Sequence, residues 1–243
     1  MKRNVLKFSL LLILPFAVAL LSCDDDNGRD YIKPYSNEAC QTSKQPHPHF
    51  INLALPSGTL WACCNLGAHG TADEGVRYAW GETSVKDSVY CWKNYLYYIT
   101  EKGLCERIGD TGSISGTEYD AAKAKWGASY LMPSSANWEE LLKYCKTSVS
   151  TGQNGQVIVT FTGRNGNYIT LPIDEGHGYW SSDQNRLGHD NYALALTYQP
   201  GADNAFGVRP AERCLDFRIR PIATAKYIDP EYISLWEEKP SSK

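Results

Sequence analysis

Val157-Ile158-Val159-Thr160-Phe161-Thr162 is apolar and β-branched, and Gly163-Arg164-Asn165-Gly166-Asn167 follows it at once. Tyr168-Ile169-Thr170-Leu171 answers as a second strand. An Asn-Gly pair between two such runs is a strong short-range hairpin signal, because it tolerates the positive φ that a tight turn requires. The rest of the chain has to pack around this hairpin. Upstream, residues 118–126 are alanine- and lysine-rich and end at Gly127, a helix-stop residue. Ser134 or Ser135 can cap a second helix over 136–145, where Trp138, Leu141, Leu142 and Cys145 follow i, i+3, i+4, i+7 spacing and build one buried face. Short strands are expected at 59–62 and 77–80, and again at 178–182, 192–198 and 217–222, while 100–118 reads as loop. Strands, then two helices, then a run of strands is the order of an α+β fold.

The amino terminus carries a different kind of signal. Lys2, Arg3 and Lys7 precede an almost wholly apolar stretch over 10–21, interrupted by Pro15. That is short for a bilayer-spanning helix of roughly 20 residues and suits the apolar core of a secretory signal. It ends in Leu20-Leu21-Ser22-Cys23. This resembles the bacterial lipobox, which implies diacylation of Cys23, cleavage before it, and a membrane anchor of palmitate-type chains. Several acyl chains, at about 0.8 kcal/mol per buried CH₂, hold a protein on a membrane stably. Asp24, Asp25 and Asp26 follow. In Bacteroidetes-type lipoproteins, which this start resembles, such an acidic run implies export to the outer face of the outer membrane.

Cleavage before Cys23 removes Lys2, Arg3 and Lys7 and takes the net charge from −3 to −6. A chain that acidic lacks the basic footprint of a nucleic-acid binder. Residues 23–49 are polar, carry Pro34, Pro46 and Pro48, and read as a tether. Ordered structure is expected over 50–223, followed by a polar tail at 224–243 with one short helix around Ile233-Ser234-Leu235-Trp236. Apart from Cys23 there are seven cysteines: Cys40, Cys63, Cys64, Cys91, Cys105, Cys145 and Cys214. In an exported chain these suggest disulfides, with at least one thiol left over. Their spacings match no zinc motif, and no cofactor is implied.

A set of short motifs recurs in one family in this order: Leu55-Pro56-Ser57-Gly58-Thr59-Leu60-Trp61-Ala62, Cys64-Asn65-Leu66-Gly67-Ala68, Tyr78-Ala79-Trp80-Gly81-Glu82-Thr83, Trp126-Gly127, Met132-Pro133, Gly178-Tyr179-Trp180-Ser181-Ser182 and Arg218-Ile219-Arg220-Pro221-Ile222. The chain resembles the Fibrobacter succinogenes major paralogous domain over roughly 50–223. That family is similar to the C-type lectin-like fold, shared with formylglycine-generating enzymes. The resemblance implies small antiparallel sheets, two flanking helices and long loops. Departures weigh against the family chemistries. Formylglycine generation needs two cysteines near the end of the domain, and only Cys214 lies there. The acidic tripeptides of calcium lectins are absent, and Gln199-Pro200-Gly201 offers no side-chain oxygen at its third place.

Among candidate site residues, Trp61, Trp80, Trp126, Trp138 and Trp180 sit in the recurring motifs and read as core. Trp92, Tyr95, Tyr97 and Tyr98 lie in a segment without periodicity and are the expected exposed aromatics, able to meet a glycan or a protein ligand. His47 and His49 form His-Pro-His with no further ligand nearby in the chain, so they read as solvated linker. His177, His189 and Asp190 hint at acid–base work, but Gly112-Ser113-Ile114-Ser115-Gly116 puts isoleucine where a serine nucleophile would stand. Asp183-Gln184-Asn185-Arg186-Leu187-Gly188 starts like a calcium loop and lacks its later ligands. The expected function is a surface-anchored, non-catalytic binding domain. Its rivals are an oxidative enzyme of the formylglycine-generating type and a structural subunit of a surface complex.

Overall fold

The computed structural model describes residues 33–44, 46–109, 112–152, 155–185, 190–202 and 204–223. The signal segment, Cys23, the acidic run, His189 and the tail with its expected short helix lie outside the described residues. The elements in chain order begin with α1 (Asn37–Thr42), β1 (Phe50–Asn52), β2 (Leu60–Ala62), β3 (Arg77–Tyr78), β4 (Tyr98–Ile99) and β5 (Leu104–Cys105). The helices α2 (Ala121–Trp126) and α3 (Ser135–Tyr144) follow. Next come β6 (Lys146–Thr151), β7 (Val157–Thr162), β8 (Tyr168–Ile173), β9 (Gly178–Gln184), β10 (Tyr192–Tyr198), β11 (Phe206–Glu212), β12 (Phe217–Arg218) and β13 (Ile222–Ala223). The fold is mixed α+β, with small sheets that are antiparallel apart from the parallel pairing of β12 with β9.

The largest sheet runs β11-β10-β9-β12-β3, and a second runs β1-β2-β13. The Asn-Gly hairpin forms as β7–β8, with Thr162 opposite Tyr168 and Val157 opposite Ile173. Gly166 supplies the positive φ of its turn, at 84°. β6 completes that sheet as a fully exposed edge. It carries Lys, Thr and Ser with one valine, so it has no apolar alternation to read. β11 holds Pro210, which is tolerated because β11 is also an edge strand.

Both expected helices form. Asp120 caps α2, and Gly127 ends it at φ 97°. Ser134 caps α3 in a reciprocal arrangement with Asn137, which satisfies backbone donors that a helix start leaves open. Trp138 and Leu141 of α3 are fully buried. Trp61, Trp80, Trp138 and Trp180 are core, whereas Trp126 is only half-buried. The rings interlock: Trp61 lies 4.6 Å from Trp138, and Trp180 lies 4.6 Å from Phe217. Buried indoles usually keep a partner for their N–H, and Trp61, with none among the described residues, is the exception among these four. Trp80 donates to the Ser181 carbonyl at 2.9 Å and Trp180 to the Tyr78 carbonyl at 2.7 Å. Each such burial stabilises the fold by about 1.5–3 kcal/mol.

Two expectations change. The described part of the presumed tether, 33–44 and 46–49, packs on the domain. Ser36 caps α1 through the Ala39 N–H, and Tyr35 bridges to Ile51. Asn37 exchanges two hydrogen bonds with the Tyr168 backbone, at 2.8 and 2.7 Å. Cys40 and His49 are buried. Second, the seven described cysteines carry free thiols where disulfides were expected. Cys40, Cys63, Cys64 and Cys145 share the main core, Cys105 and Cys214 share a smaller one, and Cys91 is exposed.

Candidate functional site

Between β3 and α2 the described residues form only two two-residue strands and a single 3-10 turn at Trp92–Asn94. This long irregular stretch is nevertheless held firmly. Gly81 has φ 80°, and a β-carbon there would meet the Ile108 side chain at 2.3 Å, so glycine is required where the chain leaves the sheet. The Glu82 carboxylate is buried; it accepts from the Leu96 N–H at 2.9 Å and pairs with Lys86. Lys86 also donates to the Asn94 carbonyl at 2.6 Å. Tyr90 donates to the Arg77 carbonyl at 2.8 Å, and the Cys105 N–H donates to the Asn191 side chain at 2.8 Å.

Of the four aromatics expected at the surface here, the structure turns one inward. Tyr95 is buried; its hydroxyl donates to the Trp80 carbonyl at 2.7 Å and accepts from Arg213 Nε at 2.9 Å. Burial raises its pKa far above the ordinary tyrosine range, against the pull of the Arg213 charge. The guanidinium of Arg213 lies over the Trp80 ring at 4.6 Å and also donates to the carbonyls of Glu106 and Asp190. Tyr95 and Arg213 therefore pin the segment to the core. Trp92, Tyr97 and Tyr98 stay half-buried, with Trp92 and Tyr98 5.1 Å apart.

Among its exposed polar residues the segment also exposes four aliphatic side chains, which the sequence reading passed over. Val89 is 83% exposed, Leu96 73%, Val85 48% and Leu104 41%. Among the described residues only Tyr144 and Val149 join them as exposed large apolar side chains, so this one segment supplies four of six. Scattered apolar residues need no explanation, but a concentration on one rigid loop does.

The other sequence candidates fall apart spatially or change partner. His177 faces Asp216 at 3.7 Å, while Asp190 accepts from Arg107 at 3.2 Å and from Gln184 at 3.1 Å. Asp183 accepts from both the N–H and the hydroxyl of Ser135, at 2.8 and 2.6 Å, and so belongs to the start of α3. Cys214 is buried beside Cys105; burial pushes their thiols up to about 12 and about 11.

His47 and His49, expected in solvent, meet two cysteines. His47 Nδ1 lies 3.1 Å from Cys63 Sγ, and His49 Nδ1 lies 3.2 Å from Cys40 Sγ. The Cys63 sulfur also accepts from the His49 backbone N–H at 3.2 Å. Hydrogen bonds from the Cys40 and Cys64 thiols hold the Cys63 thiol below its ordinary pKa despite burial. No sequence motif announced this set, because Cys40, His47, His49 and Cys63 are separated by six, one and thirteen intervening residues and are assembled by the docking of α1. Comparison with protein-family models, with curated proteins and with solved structures finds no match.

Proposed function

We propose that this chain is a lipid-anchored surface protein whose segment 82–106 binds a partner and that it performs no catalysis of its own. The observation that carries this reading is the gathering of Val85, Val89, Leu96 and Leu104 on one segment held in place by Tyr95, Glu82 and Arg213. Preorganised loops lose little conformational freedom on binding, which favours affinity. Aliphatic side chains on the same segment as the half-buried Trp92 and Tyr98 favour a protein surface over a sugar, whose hydroxyls would find few partners among them. The lipobox ending at Cys23, with Asp24, Asp25 and Asp26 after it, supports display at the outer face of the outer membrane. The resemblance to the Fibrobacter succinogenes major paralogous domain, and the lectin-like loops that this resemblance implies, support the same reading. Against the formylglycine-type alternative stands the burial of Cys214 and Cys105, since raised pKa values make poor nucleophiles.

The test compares the purified chain with a Val89→Asp/Leu96→Asp double variant on a glycan array and in capture of outer-membrane partners. Specific binding in either format that the double variant loses, with its melting temperature unchanged, is the expected result. No binding in both formats, or binding the double variant retains, would overturn the assignment of the segment.

A further inference from the structure

We propose that Cys40, His47, His49 and Cys63 bind a zinc ion that clips the amino-terminal segment onto the domain. Their four ligand atoms all lie within 4.8 Å of one another. A zinc tetrahedron with Zn–S near 2.3 Å and Zn–N near 2.0–2.1 Å has edges of about 3.4–3.8 Å. The two N···S approaches of 3.1 and 3.2 Å are a few tenths of an ångström shorter than such edges, and the widest separation, up to 4.8 Å, is about 1 Å longer, so shifts of up to about an ångström among these side chains would bring the four donors to tetrahedral spacing. Two thiolates and two imidazoles are the donor set that selects zinc among common divalent ions, and four protein ligands close the site to solvent.

The surroundings suit a thiolate-bound cation. The His49 N–H already points at Cys63 Sγ, a hydrogen bond of the kind that orients metal-bound sulfur. Tyr35 stacks on the His49 ring at 4.3 Å and fixes its plane. Two thiolates neutralise the dication, so Cys40, His49 and Cys63 remain buried without a net charge.

The topology gives the ion a purpose. Cys40 comes from α1, His47 and His49 from the segment before β1, and Cys63 from the residue after β2. Three ligands therefore belong to a polar stretch whose apolar content is small, and the fourth belongs to the core sheet. Metal binding that closes such a loop is linked directly to its folding.

The full-length chain, purified from zinc-replete cells in reducing buffer, is expected to carry close to one zinc per chain by elemental analysis. Metal-stripped protein titrated with cobalt(II) should give a thiolate-to-cobalt band in the near ultraviolet and the visible bands of a tetrahedral site. Cys63→Ser and His47→Ala should lose the zinc, while Cys91→Ser, at an exposed cysteine outside the cluster, should keep it. Chelation should raise amide exchange in 36–49 several-fold and leave the β10–β11 pair unchanged. The cobalt titration needs no variant, so misfolding of Cys63→Ser would not blunt the test. The proposal fails if zinc is absent and cobalt shows no thiolate band. It also fails if peptide mapping without reduction finds Cys40 and Cys63 joined as a disulfide, or if zinc persists in both ligand variants.

Discussion

Asp120 is a buried carboxylate that forms no ion pair among the described residues, and four backbone donors explain how it is tolerated. It accepts from the N–H groups of Gly116, Ala122, Lys123 and Met132, at 2.9 to 3.2 Å. Burial raises its pKa in spite of them. One side chain thus caps α2 and fixes the strand-like approach to Pro133. Asp120→Ala should lower the unfolding free energy by about 2–4 kcal/mol in urea denaturation, the sum of a lost cap and orphaned buried donors. Arg218 is a second buried charge, held instead by two carboxylates. Its buried guanidinium meets Asp174 at 2.9 Å and Glu74 at 2.5 Å, and Arg77 reaches Asp174 at 2.8 Å. Partial burial pushes both carboxyls up, but the Arg218 hydrogen bonds and charge outweigh it and leave both below their ordinary values. A depressed carboxyl contributes stability above its unfolded pKa and loses it as the pH falls through the lower folded value. The denaturation midpoint of the wild type should therefore fall as pH drops below about 4.5, and Arg218→Met should flatten that fall. An unchanged acid limb in Arg218→Met would count against this assignment.

Tyr95 and Arg213 join the exposed segment to the sheet, and they are the place to loosen it. Tyr95→Phe removes a hydroxyl that serves both Trp80 and Arg213, which leaves a buried guanidinium N–H unpaired. The expected cost is about 1–3 kcal/mol, with faster amide exchange confined to 82–106. Sequence periodicity could not have shown this anchoring. Tyr95 sits among alternating aromatics with no repeating face, and its partner lies 118 residues away. Elements with local signals were legible: the Asn-Gly hairpin, the Ser134 cap and the buried stripe of α3 all follow from neighbours in the chain. β6 and β11 escaped because Ser/Thr-rich or Gly- and Pro-containing edges carry no alternation. The docking of α1 escaped because a polar helix with one buried cysteine looks like linker until Tyr168 and Cys63 are placed beside it.

At the scale of the whole molecule, the segment 82–106 belongs to a domain that we propose is held at a membrane by a lipid on Cys23. If Cys23 is the lipidated residue, Cys23→Ser should move the protein from the membrane fraction to the soluble fraction, and the native amino-terminal peptide should carry acyl chains. Replacing Asp24, Asp25 and Asp26 by alanine should keep the protein on the membrane and reduce its accessibility to protease added to intact cells. Recognition by 82–106 is most directly tested by placing a photoreactive phenylalanine analogue at position 89, 96 or 149 of the anchored protein and irradiating intact cells. Val149 is exposed too, at 53%, but lies on the β6 edge outside that segment. Discrete adducts from positions 89 and 96, absent from 149, are the expected result. Adducts at all three positions alike, or at none, would contradict it.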